Sequence, residues 1–157
     1  MSPIARDYMS TQFHTLLPQT PLVDAMKVFE RINAGQQTKV FGLMVINDRQ
    51  ELVGMLSMYD ILLLIRPKHI HIWGEMSDID VTGIIQESCR RAKPILVGDI
   101  MTTEVITITP DTHLLLIVDI MIKKHVRRLP VVEDGKVVGI VYLSAVFQHI
   151  MERFIHD

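Results

Sequence analysis

The feature that most limits what this chain can fold into is that it writes one pattern twice. "GMLSMYDILLLI" (Gly54 to Ile65) and "GIVYLSAVFQHI" (Gly139 to Ile150) both run from a glycine through an apolar strand-like stretch into an apolar helical one. Other pieces recur in the same order: "DYMS" (7–10) as "DIMT" (99–102), "LPQTPL" (17–22) as "TPDTHL" (109–114), and "LVG" (52–54) as "VVG" (137–139). The copies lie 92 residues apart at Asp7 and Asp99 but 85 apart at Gly54 and Gly139, so the first copy is longer in its middle. The polar stretch "INAGQQT" (32–38) absorbs most of the difference, because lengthening a surface loop costs little. One further residue falls in the turn "NDRQ" (47–50), against "EDG" (133–135).

Each copy reads as strand, helix, two strands and helix. The β-branched stretches "FHTLL" (13–17) and "EVITIT" (104–109) open them. "TPLVDAMKVFERI" then puts Leu22, Ala25, Met26, Phe29 and Ile32 on one helical face, with Thr20 as N-cap and Pro21 in the first turn. "DTHLLLIVDIMIKK" does the same with Leu114, Leu115, Val118 and Met121. Two hairpins follow, "FGLMVI" to "LVGMLS" and "RRLPVV" to "KVVGIVY", the second through the turn signal "EDG". One copy, about 60 residues long, buries too little surface to stand comfortably alone. The expectation is an α+β fold of two β-α-β-β-α repeats packed sheet to sheet, helices outside, with pseudo-twofold symmetry and two equivalent clefts between the copies. The expected boundaries are 1–66 for the first repeat, 67–97 for a connecting segment and 98–157 for the second repeat. Within the connection, the pattern predicts a helix from Val81 to Lys93, with Gly83 as its weak point, placed along the outside or in oligomer contacts.

The bulk properties exclude more than they assign. Apolar residues make up 48% of the chain, enough for a packed interior and too many for disorder. A formal net charge of −2 gives no global reason to expect nucleic acid or a membrane surface as partner. Cys89 is the only cysteine, so no disulfide framework or zinc cluster is expected, and a reducing compartment is the default. The greasiest runs, "ILLLI" (61–65) and "LLLIVDIMI" (114–122), fall well short of the roughly 20 residues that a membrane span needs. "MSPIARDYMS" (1–10) carries no apolar core of signal-peptide length. The expectation is a soluble cytoplasmic protein. "KHIHIW" (68–73) would set His69 and His71 on one face of an extended segment, but no motif supplies a third ligand, so solvated or packed histidines are expected. No Gly-rich phosphate loop, nucleophile elbow or zinc spacing is written, so neither catalytic residues nor metal ligands are assigned.

One difference between the copies bears on function. Ser57 ends a strand and Asp60 falls in the first turn of the next helix. Such a pair makes a capping box, each side chain taking a backbone N–H of the other. A carboxylate fixed there also suits two adjacent hydroxyls, since charge-assisted paired hydrogen bonds are strong and geometrically selective. The two roles are compatible. The second copy has Tyr142 and Ala145 instead, and Ala145 cannot hold a diol.

"HVRRLPVVEDGKVVGIV" (125–141), "DIMTTEVITITPDT" (99–112) and "VGMLSMYDIL" (53–62), in this order and duplication, resemble a tandem pair of CBS domains, the Bateman module. The resemblance covers nearly the whole chain outside the connecting segment. It implies a regulatory module for an adenosine-containing ligand and not an enzyme, since such modules rarely are. The family pattern of Gly, two apolar residues, Thr or Ser, two variable residues and Asp is met at Gly54, Ser57 and Asp60, which implies ribose binding by Ser57 and Asp60. By the same resemblance Val105, Ile106 and Met55 line the adenine, and Arg127, Arg128 and Tyr59 face the phosphates. Two guanidiniums suit a phosphate, but neighbours on a strand point to opposite faces, so one of the two points away unless the strand start is irregular. The matching residues of the first copy, Phe41 and Gly42, carry no charge, so the second cleft lacks both acid and cations.

The implied function is a stand-alone cytoplasmic energy or metabolite sensor that binds AMP, ADP or ATP in the cleft carrying Asp60. It has no resident cofactor, pairs as a homodimer and acts in trans on an unknown protein target. Paired arginines favour such a ligand over S-adenosylmethionine. The alternative is a nucleotide-free interaction or dimerisation module in which Ser57 and Asp60 serve only as a helix cap.

Overall fold

The apolar stripe written in "TPLVDAMKVFERI" becomes the inner face of a helix, α2 (Leu22–Asn33), with Leu22, Ala25 and Phe29 buried and Met26 and Ile32 packed beside them. The computed structural model describes residues 2–66 and 81–157. In chain order its other elements are α1 (Ala5–Tyr8), β1 (Thr15–Leu16), β2 (Gly42–Ile46), β3 (Leu52–Ser57), α3 (Met58–Ile65), α4 (Val81–Ala92), α5 (Val97–Ile100), α6 (Leu114–Lys124), β4 (Arg128–Glu133), β5 (Lys136–Tyr142) and α7 (Leu143–His156). The class is α+β, as the repeated pattern predicts.

The chain forms two compact units that interleave along the sequence. One, the Asp60 unit, takes Thr15–Asn47 and Val53–Thr103. The other, the Arg128 unit, takes Met1–His14, Asp48–Leu52 and Glu104–Asp157. The leading helix of each repeat therefore folds with the body of the other. In the Asp60 unit, α5 is tied to the stretch before α2 by Val97 N–H to the Thr20 carbonyl (2.9 Å) and Gly98 N–H to the Pro18 carbonyl (2.8 Å). In the Arg128 unit, α1 makes the same bonds, from Ala5 to Thr112 (2.8 Å) and from Arg6 to Pro110 (2.9 Å).

Each unit has its own core. In the Asp60 unit, the sheet of order β1-β2-β3 and helix α2 bury Leu16, Leu22, Phe29, Leu43, Val45 and Leu56, with Val97 of α5 closing one side. In the Arg128 unit, β4 and β5 pair antiparallel and bury Leu129, Val131 and Val141 against Ile117 and Met121 of α6 and Val146 of α7. Helix α4 ends at Ala92, one residue before the expected end, and packs on α3. Residues 68–73, with the two histidines discussed above, lie outside the described residues.

Three local expectations are corrected. Leu115 is 78% exposed, and Ile117 takes its place in the core. The buried stripe of α6 runs Leu114, Ile117, Val118, Met121, an i, i+3, i+4, i+7 face. Thr20 does not cap α2; Pro21 stands at the N-cap without a side-chain bond. The free amides of the first turn go instead to backbone, Leu22 N–H to the Ile95 carbonyl (2.7 Å) and Val23 N–H to the Lys93 carbonyl (3.2 Å). Residues 104–109 do not form a strand, and only Ile108 bridges Val131 in parallel. In the first repeat β1 and β2 hold two such rungs, Thr15 to Met44 and Leu16 to Val45. Pro130 stands where Met44 does, and without an N–H it cannot make the second rung.

The corrected stripe gives a contrast that urea denaturation can read. Ile117→Ala should cost about 2–4 kcal/mol through a buried cavity. Leu115→Lys should stay within about 0.5 kcal/mol of the native protein.

Candidate functional site

Strand β3 runs into helix α3 with no loop between them, so Ser57 is both the last residue of the strand and the N-cap of the helix. Its extended backbone (φ −117°, ψ 167°) is what an N-cap requires. The Ser57 hydroxyl accepts from Asp60 N–H at 3.4 Å, and the Ser57 N–H donates to Asp60 Oδ2 at 2.9 Å. This is the capping box read from the sequence. The Ser57 hydroxyl also donates to Oδ2, at 3.1 Å.

A residue that sequence reasoning missed completes the group. Thr102 donates its hydroxyl to Asp60 Oδ1 at 3.0 Å. It is delivered there by the backbone: Met55 N–H donates to the Thr102 carbonyl and Thr102 N–H to the Met55 carbonyl, both at 2.9 Å. The approach is so close that a Cβ on Gly54 would lie 2.6 Å from Met101 Sδ and 2.8 Å from the Thr102 carbonyl oxygen. Gly54 is thus needed for closeness, not for an unusual backbone angle. The signal was present in the repeated "DIMT" and "DYMS", which end in a hydroxyl in both copies.

A carboxylate has about four lone-pair directions. Three donors already occupy Asp60: the Ser57 amide, the Ser57 hydroxyl and the Thr102 hydroxyl. The two hydroxyls can rotate and become acceptors, so an incoming diol can take their places without leaving them unpaired. Of the other predicted residues in this unit, Met55 is half-buried and held by its backbone, while Tyr59 is 77% exposed on the first turn of α3.

The Arg128 unit repeats the scaffold with different side chains. Ser10 stands where Thr102 does and exchanges backbone bonds with Ile140 (2.8 and 3.0 Å). A Cβ on Gly139 would meet Met9 Sδ at 2.8 Å. Tyr142 is the N-cap of α7 but makes no side-chain cap, and the Ser10 hydroxyl turns away to the Gln12 carbonyl at 2.8 Å. Val105 and Ile106, the predicted adenine-lining pair, are both half-buried here. Arg127 precedes β4 and is exposed; its carbonyl accepts from Leu143 N–H at 2.8 Å. Arg128 begins β4, is half-buried, and faces Tyr142 of β5. The two arginines therefore differ in environment, Arg127 exposed before the strand and Arg128 half-buried at its start. Elsewhere Glu87 of α4 holds Arg90 at 2.6 Å and Arg91 at 3.1 Å. The Arg90 hydrogen bond brings the Glu87 carboxyl down to about 2.

The model of the CBS domain matches residues 5–67 and 97–152. The chain belongs to the CBS-domain family. It is 32% identical over 143 residues to the CBS domain-containing protein CBSX2, chloroplastic, of Arabidopsis thaliana, covering 85% of this chain and 58% of the relative. It is 29% identical over 136 residues to an uncharacterized protein of Methanocaldococcus jannaschii, covering 76% of this chain and 75% of that one. The chain spans 58% and 55% of the two chloroplastic relatives it matches. Among solved structures, the CBS-pair protein CBSX2 of Arabidopsis thaliana superposes with a TM-score of 0.77 at 26% identity, covering 100% of both chains. CBSX2 in complex with AMP superposes with a TM-score of 0.70 at 27% identity, over 96% of this chain and 98% of that one. Among the described residues of this CBS-domain protein no helix is long and apolar enough to cross a membrane.

The tight approach at Gly54 gives a test of the scaffold. Gly54→Ala should lower stability by about 1–3 kcal/mol through overpacking against Met101 and the Thr102 backbone. Ser57→Ala should cost about 1 kcal/mol through loss of the cap. Both are read as shifts of the denaturant midpoint.

Proposed function

We propose that the chain is a regulatory module that binds an adenine nucleotide, AMP, ADP or ATP, with the ribose hydroxyls on Asp60. The observation that carries this reading is the fixed Asp60 carboxylate, flanked by two hydroxyls that can change from donor to acceptor. The crystal structure of CBSX2 in complex with AMP, 27% identical over nearly all of this chain, supports the ligand class. The family resemblance assigns the adenine to Met55, Val105 and Ile106 and the phosphates to Tyr59, Arg127 and Arg128. These assignments belong to the proposal. So do a cytoplasmic sensing role without catalysis, an action in trans on a protein target, and a homodimer. Exposed apolar side chains on α3 (Leu62, Leu63) and α7 (Phe147, Phe154) support the last of these.

A second reading is a nucleotide-free interaction module. It is favoured by the completeness of the capping box, since Asp60 already has donors on both oxygens. Thermal denaturation with AMP, ADP, ATP and S-adenosylmethionine separates the two. A nucleotide at a hundredfold its dissociation constant should add about 2.7 kcal/mol, roughly 5–10 °C for a chain of this size. Asp60→Ala should abolish that shift, while by itself lowering stability by about 1 kcal/mol through the lost cap. A flat response from nucleotide-free native protein would leave the interaction module as the better account. A shift that survives Asp60→Ala would remove the ribose assignment.

A further inference from the structure

Among the described residues Asn33 is the one polar residue that the fold buries, at 8% exposure. It is the last residue of α2. Both polar atoms of its side chain bind a single residue: Nδ2 donates to the Val40 carbonyl at 2.9 Å, and Oδ1 accepts from the Val40 N–H at 2.7 Å. Its own carbonyl accepts from the Gln36 N–H at 3.2 Å and from Lys39 Nζ at 2.8 Å. The residues between, Ala34 to Lys39, are all exposed. A buried amide is tolerated where it is paired, and this one is paired at both atoms. Asn33 thus clasps the two ends of a polar loop.

The loop ends where the site begins. The residue after Val40, Phe41, accepts at its carbonyl the Met58 N–H at 3.0 Å. Met58 is the first residue of α3, directly after the Ser57 cap, and Asp60 stands two residues further on. A bond to one of the free amides of a first turn fixes the direction in which the helix leaves its strand. The capping box cannot supply that direction, because all its atoms belong to residues 57–60 and move with α3. The Thr102 hydroxyl comes from another segment of the same unit, so its 3.0 Å contact with Asp60 Oδ1 requires the helix to be aimed.

The second repeat supplies an internal control. There the carbonyl that takes the first amide of the helix, that of Arg127, lies three residues beyond the end of α6. The turn is made by His125 in the left-handed region (φ 54°), and Val126 N–H bonds back to the Met121 carbonyl at 3.3 Å. In the first repeat the corresponding carbonyl, of Phe41, lies eight residues beyond the end of α2. A longer connection has more freedom to lose on closing. Asn33 removes that freedom one residue before the carbonyl that matters.

We infer that Asn33 is a positioning residue for Asp60: by clasping Val40 it fixes the Phe41 carbonyl, which aims the first turn of α3 and sets the carboxylate for two adjacent hydroxyls. The inference rests on the ribose reading of Asp60 above. It makes the loop clasp a determinant of selectivity for ribose over deoxyribose. A carboxylate that is slightly misaimed keeps one hydroxyl contact and loses the second, since paired charge-assisted bonds are geometrically demanding.

Amide hydrogen exchange of the full chain, with calorimetric titration by AMP and 2′-deoxy-AMP, tests it. In the native protein the Val40 and Met58 amides should open together, with protection equal to within about threefold. Asn33→Ala should speed exchange at Met58 by at least about tenfold, the worth of two hydrogen bonds, and leave the Thr102 amide unchanged. The native protein should prefer AMP over 2′-deoxy-AMP by at least about tenfold, the worth of one hydrogen bond to a charged group. Asn33→Ala should lower that preference by at least about threefold. Asn33→Asp, which keeps an acceptor for the Val40 amide, should retain it. Equal acceleration at Met58 and Thr102 marks a merely structural role and overturns the inference, as does a native preference that survives Asn33→Ala. A Met58 amide far better protected than Val40 in the native protein overturns it without any variant. Native protein that binds both nucleotides equally, or neither, removes the ribose from Asp60, so that the reading of the site fails and this inference with it.

Discussion

Two backbone hydrogen bonds between Met55 and Thr102, each 2.9 Å long, hold the Asp60 unit in the form that makes its chemistry possible. They bring an incoming segment against the edge of β3, and only a glycine at position 54 leaves room for it. Because the segment is held by its backbone, the Thr102 side chain is free to be used, and it reaches Asp60. The carboxylate is in turn fixed by the cap of the helix on which it sits. Strand, glycine, threonine and aspartate are thus one device, in which backbone bonds set the distance and side chains set the chemistry.

The same separation explains how the two repeats could diverge. The Arg128 unit keeps every backbone part of the device: the glycine at 139, the paired bonds of Ser10 with Ile140, and the amide of Leu143 bonded to the Arg127 carbonyl. Of the polar side chains that meet at Asp60 it keeps only a hydroxyl, at Ser10, and that one turns to the Gln12 carbonyl. The first turn of α7 persists without a side-chain cap, its Leu143 amide bonded to the Arg127 carbonyl. Side chains at these positions are therefore released from a structural duty. Tyr142 could replace a serine without the helix being lost.

What the sequence disclosed was what is local. The stripe of α2, the two hairpins and the Gly54–Ser57–Asp60 spacing depend on residues a few positions apart, and periodicity and capping rules capture them. The errors share the opposite cause. Thr20 was displaced as a cap by carbonyls more than seventy positions away. The strand expected at 104–109 failed because Pro130, on another strand, lacks the amide for the second rung. Leu115 read as core because α6 is apolar on more than one side, so that composition could not say which of Leu115 and Ile117 turns inward. At the candidate site the carboxylate and its serine were legible, whereas Thr102 was not, for it is 42 residues from Asp60.

The interleaved connectivity also sets an order of events during synthesis. The body of the first repeat emerges with its strands and helix complete, yet the segment that closes it, Val97–Thr102, leaves the ribosome only after the whole connection has been made. Helix α1, made first, waits longer still, since the carbonyls that receive it belong to Pro110 and Thr112 and its core partners come later. Neither unit can close from one uninterrupted length of chain. Duplication here did not produce two independent folders; it produced a chain whose halves must each hold an open place for the other.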